Sequence, residues 1–165
     1  MRQIPLKNFI ILSLIYLLVI LFSLGLRNWY LKNYVNNSHI NEVISEIKIE
    51  EFESYIQENP DIIIYFSNSK NVDLNLEQKM INYIIKKNLT NNIVYVDTYS
   101  IEKEWFKKIN NNYVIDSVNI QIVPNTDNIV LVKSGKIEAS AVYNEILDYD
   151  KFKEFMSRYG VLNND

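Results

Sequence analysis

Thiol chemistry is closed to this chain, which has no cysteine among its 165 residues. Disulfides, thiolate-ligated zinc, iron-sulfur clusters and cysteine nucleophiles are excluded with it. The single imidazole, His39, lies in a polar run without a second His or a nearby carboxylate at ligand spacing, so it supports neither a His-rich metal site nor a Ser-His relay. Three glycines cannot build a phosphate loop or a dinucleotide turn. Carboxylates and amines remain. Glu50, Glu51, Glu53 and Glu58 fall on the outer face of one helical pattern and read as a solvated face rather than an acid-base pair. Lys86-Lys87 and Lys107-Lys108 stand at helix ends, where cations complement the dipole. Tyr95, Tyr99 and Tyr113, three of twelve tyrosines, fit alternating strand and core positions. These residue types assign no catalytic group, no metal ligand and no cofactor.

Charge narrows the partners. Seventeen Lys and Arg face twenty Asp and Glu, and without Arg2 and Lys7 the balance is fifteen to twenty. A polyphosphate finds no basic footprint here, so nucleic acid is not an expected partner. With 48% hydrophobic and 22% charged residues the chain can bury a core, and its length allows one globular domain. The many Ile, Asn and Lys suit an AT-rich coding sequence, in which Asn36-Asn37-Ser38 and Asn88-Leu89-Thr90 arise by chance as glycosylation triplets.

Residues 9–26, FIILSLIYLLVILFSLGL, are uncharged and long enough to span a bilayer. Arg27, Trp29, Tyr30 and Tyr34 follow, the chemistry of a headgroup boundary. The alternatives are a buried core helix, against which stands the lack of any polar face, and a cleaved signal peptide, for which Ser23-Leu24-Gly25 is a passable site. The anchor reading divides the chain into a leader (1–8), a transmembrane helix (9–28), a linker (29–42) that contains His39, and a domain (43–162). Arg2, Lys7 and the amino terminus against Arg27 and Lys32 favour a cytoplasmic leader and an extracellular carboxy-terminal domain.

In the domain the apolar period switches repeatedly. Residues 43–47 alternate and predict a short edge strand; Ile49, Phe52, Tyr55 and Ile56 then share a helical face that Pro60 ends. Residues 61–66 and 93–97 are β-branched and aromatic runs, expected as adjacent, parallel and central strands. Between them Leu76, Met80, Ile81, Ile84 and Ile85 form the inner face of a helix. A third helix is expected to be capped by Ser100, to bury Trp105, Phe106 and Ile109, and to break at Asn110-Asn111-Asn112. Residues 128–133 and 136–142 predict a hairpin turning at Ser134-Gly135, and Asp148 a cap for a last helix that ends at Gly160. The order β-α-β-α-β-α-β-β-α implies an α/β domain, a mixed sheet with helices on both faces.

That order, with the loop and long helix after residues 62–66 and the turn Val132-Lys133-Ser134-Gly135-Lys136, resembles the thioredoxin fold over residues 43–160. It looks most like the membrane-anchored thioredoxin-like proteins of low-GC bacteria, some described as bacteriocin-transport accessory proteins. Where that family carries Cys-x-x-Cys, this chain reads Lys70-Asn71-Val72-Asp73, which cannot exchange disulfides. The family's cis-proline falls at Asp127; Pro124, three residues earlier, reads as a turn proline. The resemblance therefore implies a redox-inactive domain whose partner-binding groove comprises Lys70, Asn71, Val72, Asp73, Pro124 and Asp127. Its expected partners are the bilayer, through residues 9–26, and another envelope protein or an extended peptide. Two other readings compete. A pilin-like subunit also joins an apolar helix to an α+β head, although here no Gly precedes Phe9 and Ser13 stands where such subunits carry Glu. An enzyme would have to use Lys70, Asp73 and Asp127 in a repurposed pocket.

Overall fold

In the computed structural model, residues 6–30, 38–143 and 145–160 are described. The chain divides into two units, one ending at Asn37 and the other starting at Ser38. Arg2, Lys32, Tyr34, Asn36 and the last residues of the expected domain lie outside the described residues.

The first unit contains one helix, α1 (Leu6–Tyr30), of 25 residues. At 1.5 Å per residue it is about 37 Å long, more than a hydrocarbon core of about 30 Å. Its apolar side chains are exposed on every side, so α1 has no face suited to a protein core. It is long and apolar enough to cross a membrane, and it continues two residues beyond the expected end at 28.

The second unit is built on β1 (Ile62–Ser67), β2 (Ile93–Asp97), β3 (Asn128–Lys133) and β4 (Lys136–Ser140), in the order β2-β1-β3-β4. β1 runs parallel to β2 and antiparallel to β3, and β3 is antiparallel to β4. Every β1 residue is buried because alternate side chains enter opposite layers. Ile63 and Tyr65 join Ile93, Tyr95, Ile129 and Leu131 beneath α3 (Leu74–Lys86) and α5 (Tyr149–Tyr159), which contribute Met80, Ile84, Phe152 and Met156. Ile62, Ile64 and Phe66 join Val94, Val96 and Val132 beneath α2 (Phe52–Glu58) and α4 (Lys103–Tyr113), which contribute Phe52, Ile56, Phe106 and Ile109. The fold is α/β: a mixed four-stranded sheet with helices on both faces.

Several local expectations are corrected. Residues 43–47 form no strand; a single bridge, Glu46 to Tyr95, lies against β2, with Tyr95 N–H donating to Ser45 and accepting from Ile47 at its carbonyl. β2 is therefore the edge of the four-stranded sheet, not a central strand, although it is adjacent and parallel to β1 as expected. Ile85 is 56% exposed rather than internal. Ser100 has a positive φ of 66° and caps nothing; α4 starts three residues later, after Glu102. Nor does α4 break at its asparagines, because Asn110 Nδ2 donates to Phe106 O at 2.8 Å and Ile122 O at 2.7 Å, while Oδ1 accepts from Ile122 N at 2.8 Å. Those bonds pin the long connection 114–127 to the helix. Gly160 ends α5 with an ordinary helical φ; a Cβ there would lie 2.4 Å from Met156 O, so space, not handedness, requires glycine.

The β3–β4 turn does need left-handed backbone. Ser134 and Gly135 have φ of 50° and 75°, the pair of positive values that a two-residue hairpin prefers. Ser134 N–H donates to Asp61 Oδ1 and Gly135 N–H to Pro60 O, which ties the hairpin tip to the turn that ends α2.

Candidate functional site

The carboxyl end of β1 delivers Ser67 and then residues 68–73, which lead into α3. Short polar side chains hold this loop. Asn68 Oδ1 accepts from Lys70 N–H at 3.0 Å, and Asn68 Nδ2 donates to Asn125 Oδ1 at 2.7 Å, so the loop is fastened to the segment before β3. Asp97, at the end of β2, accepts from Ser69 N–H at 3.0 Å and Tyr99 N–H at 2.9 Å. Asp73 is the N-cap of α3, its Oδ1 accepting from Asn75 and Leu76 N–H.

Asp127 faces this loop. Its Oδ1 accepts from Ser67 Oγ at 2.6 Å. Burial raises the Asp127 carboxyl above the ordinary range, the Ser67 hydroxyl pulls it partly back, and the carboxylates Glu77 and Asp73 raise it further. Deeper still, Tyr65 and Tyr95 pack ring against ring at 5.8 Å. Burial raises both phenols; Asp127 is the leading charged influence on Tyr65, and Asp97 on Tyr95. Tyr95 Oη donates a long bond of 3.4 Å to Ser67 O, whereas the buried Tyr65 hydroxyl lies near the Ser67 side chain without a well-formed hydrogen bond among the described residues.

Glu77, on α3, is the one acidic side chain in this region that is fully enclosed, at 1% exposure. Ser38 Oγ donates to its Oε2 at 2.5 Å and His39 N–H to its Oε1 at 2.7 Å, while Ser38 N–H donates to Ser69 O. Residues 38–42, expected as the end of a linker, are thus part of the domain, and Ile40 among them is fully buried. His39 is half exposed, with Nδ1 3.2 Å from Glu42 Oε1.

A cleft of about 270 Å³ opens where these pieces meet, lined by Asn71, Asp73, Asn125, Thr126, Asp127 and residues 145–147. Of the six residues singled out in the sequence, it gathers Asn71, Asp73 and Asp127; Lys70, Val72 and Pro124 are not in its lining. Pro124 occupies a turn, and no peptide bond among the described residues is cis. Sequence reasoning missed Ser67, Asn68, Glu77 and Ile146. Glu77 carried no distinct signal, since an acid in the first turn of a helix is ordinarily a dipole partner. Ile146 lies in a stretch without period. Among the described residues no three His, Asp or Glu side chains converge as metal ligands.

The arrangement offers hydrogen-bond acceptors and an apolar wall, and the Ser67 hydroxyl is buried and donates to the Asp127 carboxylate. No family model matches the chain, and no curated protein matches its sequence.

Proposed function

We propose that this chain is a membrane-anchored, redox-inactive thioredoxin-like module that binds an extended segment of another envelope protein at the β1 cleft. The observation that carries this reading is the meeting, at the end of the central strand, of loop 68–73 with Asn125 and Asp127. Those are the positions at which the resemblance expects the lost redox pair and the lost cis-proline. Ligands of sheets with parallel crossovers bind beyond the carboxyl ends of the strands, which is where the cleft opens. The strand order and the parallel β1–β2 pair support the resemblance; the reduction of its first strand to one bridge, which leaves β2 at an edge, counts against the full five-stranded form. The helix α1 supplies the anchor, and Arg2 and Lys7 favour an extracellular domain. No chemistry is assigned to the module, because the thiols on which the resembling family depends are absent.

The test is site-specific photocrosslinking in the native membrane. A benzoylphenylalanine in place of Asn71 should give a light-dependent adduct with an envelope polypeptide. The same group in place of Gln57, exposed on α2 beneath the opposite face of the sheet, should give none. Equal adducts at both positions, or none at Asn71, overturn the reading.

A further inference from the structure

The cleft does not end at Asp127. Two neighbouring hollows, of about 330 and 310 Å³, share Ile146 with it as a common wall, one extending to Gln121 and Val123 and the other to Leu76 and Tyr149. Ile146 is 86% exposed, the highest value of any large apolar side chain among the described residues. An isolated exposed isoleucine needs no explanation, but this one stands where three concave surfaces meet.

The charge lining it is mostly acidic. Asp73, Asp127, Glu145 and Asp148 line the three hollows, against Lys79, with Lys151 beside Glu145 and Asp148. Three of the carboxylates are engaged: Asp73 and Asp148 cap α3 and α5, each accepting two backbone N–H groups, and Glu145 pairs with Lys151 at 2.6 Å. The same capping decides against an anionic ligand, since the amides that make helix starts attractive to anions are already satisfied. Asp127 differs. Among the described residues its one hydrogen bond is to Ser67, the carboxylates Glu77 and Asp73 are the charged groups that act on it, and its own charge acts on the buried hydroxyl of Tyr65. Residues 38–160 carry 13 Lys and Arg against 19 Asp and Glu, which steers cationic partners toward the domain.

We propose that the cleft takes an extended polypeptide that presents an Arg or Lys to Asp127 and lays a neighbouring apolar side chain against Ile146. The inference rests on the binding reading above and adds the chemical class of the segment. A guanidinium or ammonium supplies Asp127 with a charge-assisted donor beside the neutral Ser67 hydroxyl, its one hydrogen-bond donor among the described residues. The apolar neighbour removes Ile146 from water.

The full-length protein in lipid nanodiscs, labelled at isoleucine δ1 methyl groups, is titrated with acetyl-Ser-Leu-Arg-Leu-Ser-amide and with its Gln and Glu counterparts. The Arg peptide should shift the Ile146 methyl resonance, bind at least about tenfold more tightly than the Gln peptide, and weaken as salt shortens the Debye length from about 10 to about 3 Å. Asp127→Asn should bring the Arg peptide down to the affinity of the Gln peptide, and Ile146→Ser should weaken both, as read by peptide anisotropy. Binding of the Gln or Glu peptide at the cleft as tight as that of the Arg peptide overturns the cation preference and leaves the peptide-binding reading standing. No perturbation of Ile146 by any of the three overturns both.

Discussion

At the scale of single residues, Asp127 links stability to the cleft. Its carboxyl is raised chiefly by burial, lowered in part by Ser67, and raised again by Glu77 and Asp73. A carboxyl that holds its proton more tightly folded than unfolded contributes fully below its ordinary value of 3.8, and that contribution is lost as pH rises through the raised folded-state value. Near neutrality the ionised side chain therefore costs stability. Asp127→Asn keeps an acceptor for the Ser67 hydroxyl and removes the charge. Its melting temperature should exceed that of the wild type at about pH 7, and the gap should close as pH falls below about 4. Thermal unfolding of both proteins across that interval checks this, and a gap independent of pH would assign the effect to something other than ionisation.

Among the elements, Asn110 separates helix propensity from tertiary bonding. Propensity alone favours Ala, by about 0.7 kcal/mol at most, at an interior helix position. The structure predicts the opposite sign: Asn110→Ala strips Ile122 of partners for both its N–H and its C=O, a loss of about 1–3 kcal/mol. Denaturant unfolding decides between them. The same residue shows where the sequence stopped being legible. The strands β1, β2 and β3, the hairpin turn and, Ile85 apart, the inner faces of α3 and α5 follow from the apolar patterning, because burying an apolar face is a local requirement. The three asparagines look like a breaker because Asn usually bonds its own backbone, and the partner of Asn110, the Ile122 backbone twelve residues away, leaves no local trace. β2 reads as central because burial on both faces gives the same apolar run at an edge as in the middle, and the single bridge on its outer edge leaves no mark in that run. At the cleft, position rather than period places Asn71, Asp73 and Asp127 together. Glu77 and Ile146 were invisible because their roles depend on Ser38 and on a loop without pattern.

For the molecule as a whole, the boundary of the domain has an energetic meaning. A fragment starting at Ser38 retains the bonds to Glu77 and the buried Ile40; one starting at Val43 loses both and leaves an enclosed carboxylate without donors. Burial of one Ile side chain is worth about 1.5–3 kcal/mol and an orphaned buried acceptor costs about 1–3 kcal/mol, so the shorter fragment should be less stable by about 2.5–6 kcal/mol. At roughly 4 °C per kcal/mol this is a fall of about 10 °C or more in melting temperature, and Glu77→Gln should recover part of it only in the shorter fragment. Equal melting temperatures for the two fragments would show that residues 38–42 are dispensable. The strand order has a further consequence, one of timing. β1 is the strand in the middle, yet it needs β3, whose last residue is 66 positions further along the chain than its own. At a synthesis rate of about 5–20 residues per second, β1 waits about 3–13 s for that neighbour. Throughout the wait a six-residue apolar strand keeps one edge open to any other chain, so the interval between two strands on the ribosome, rather than the stability of the finished sheet, sets when this protein is most prone to aggregate.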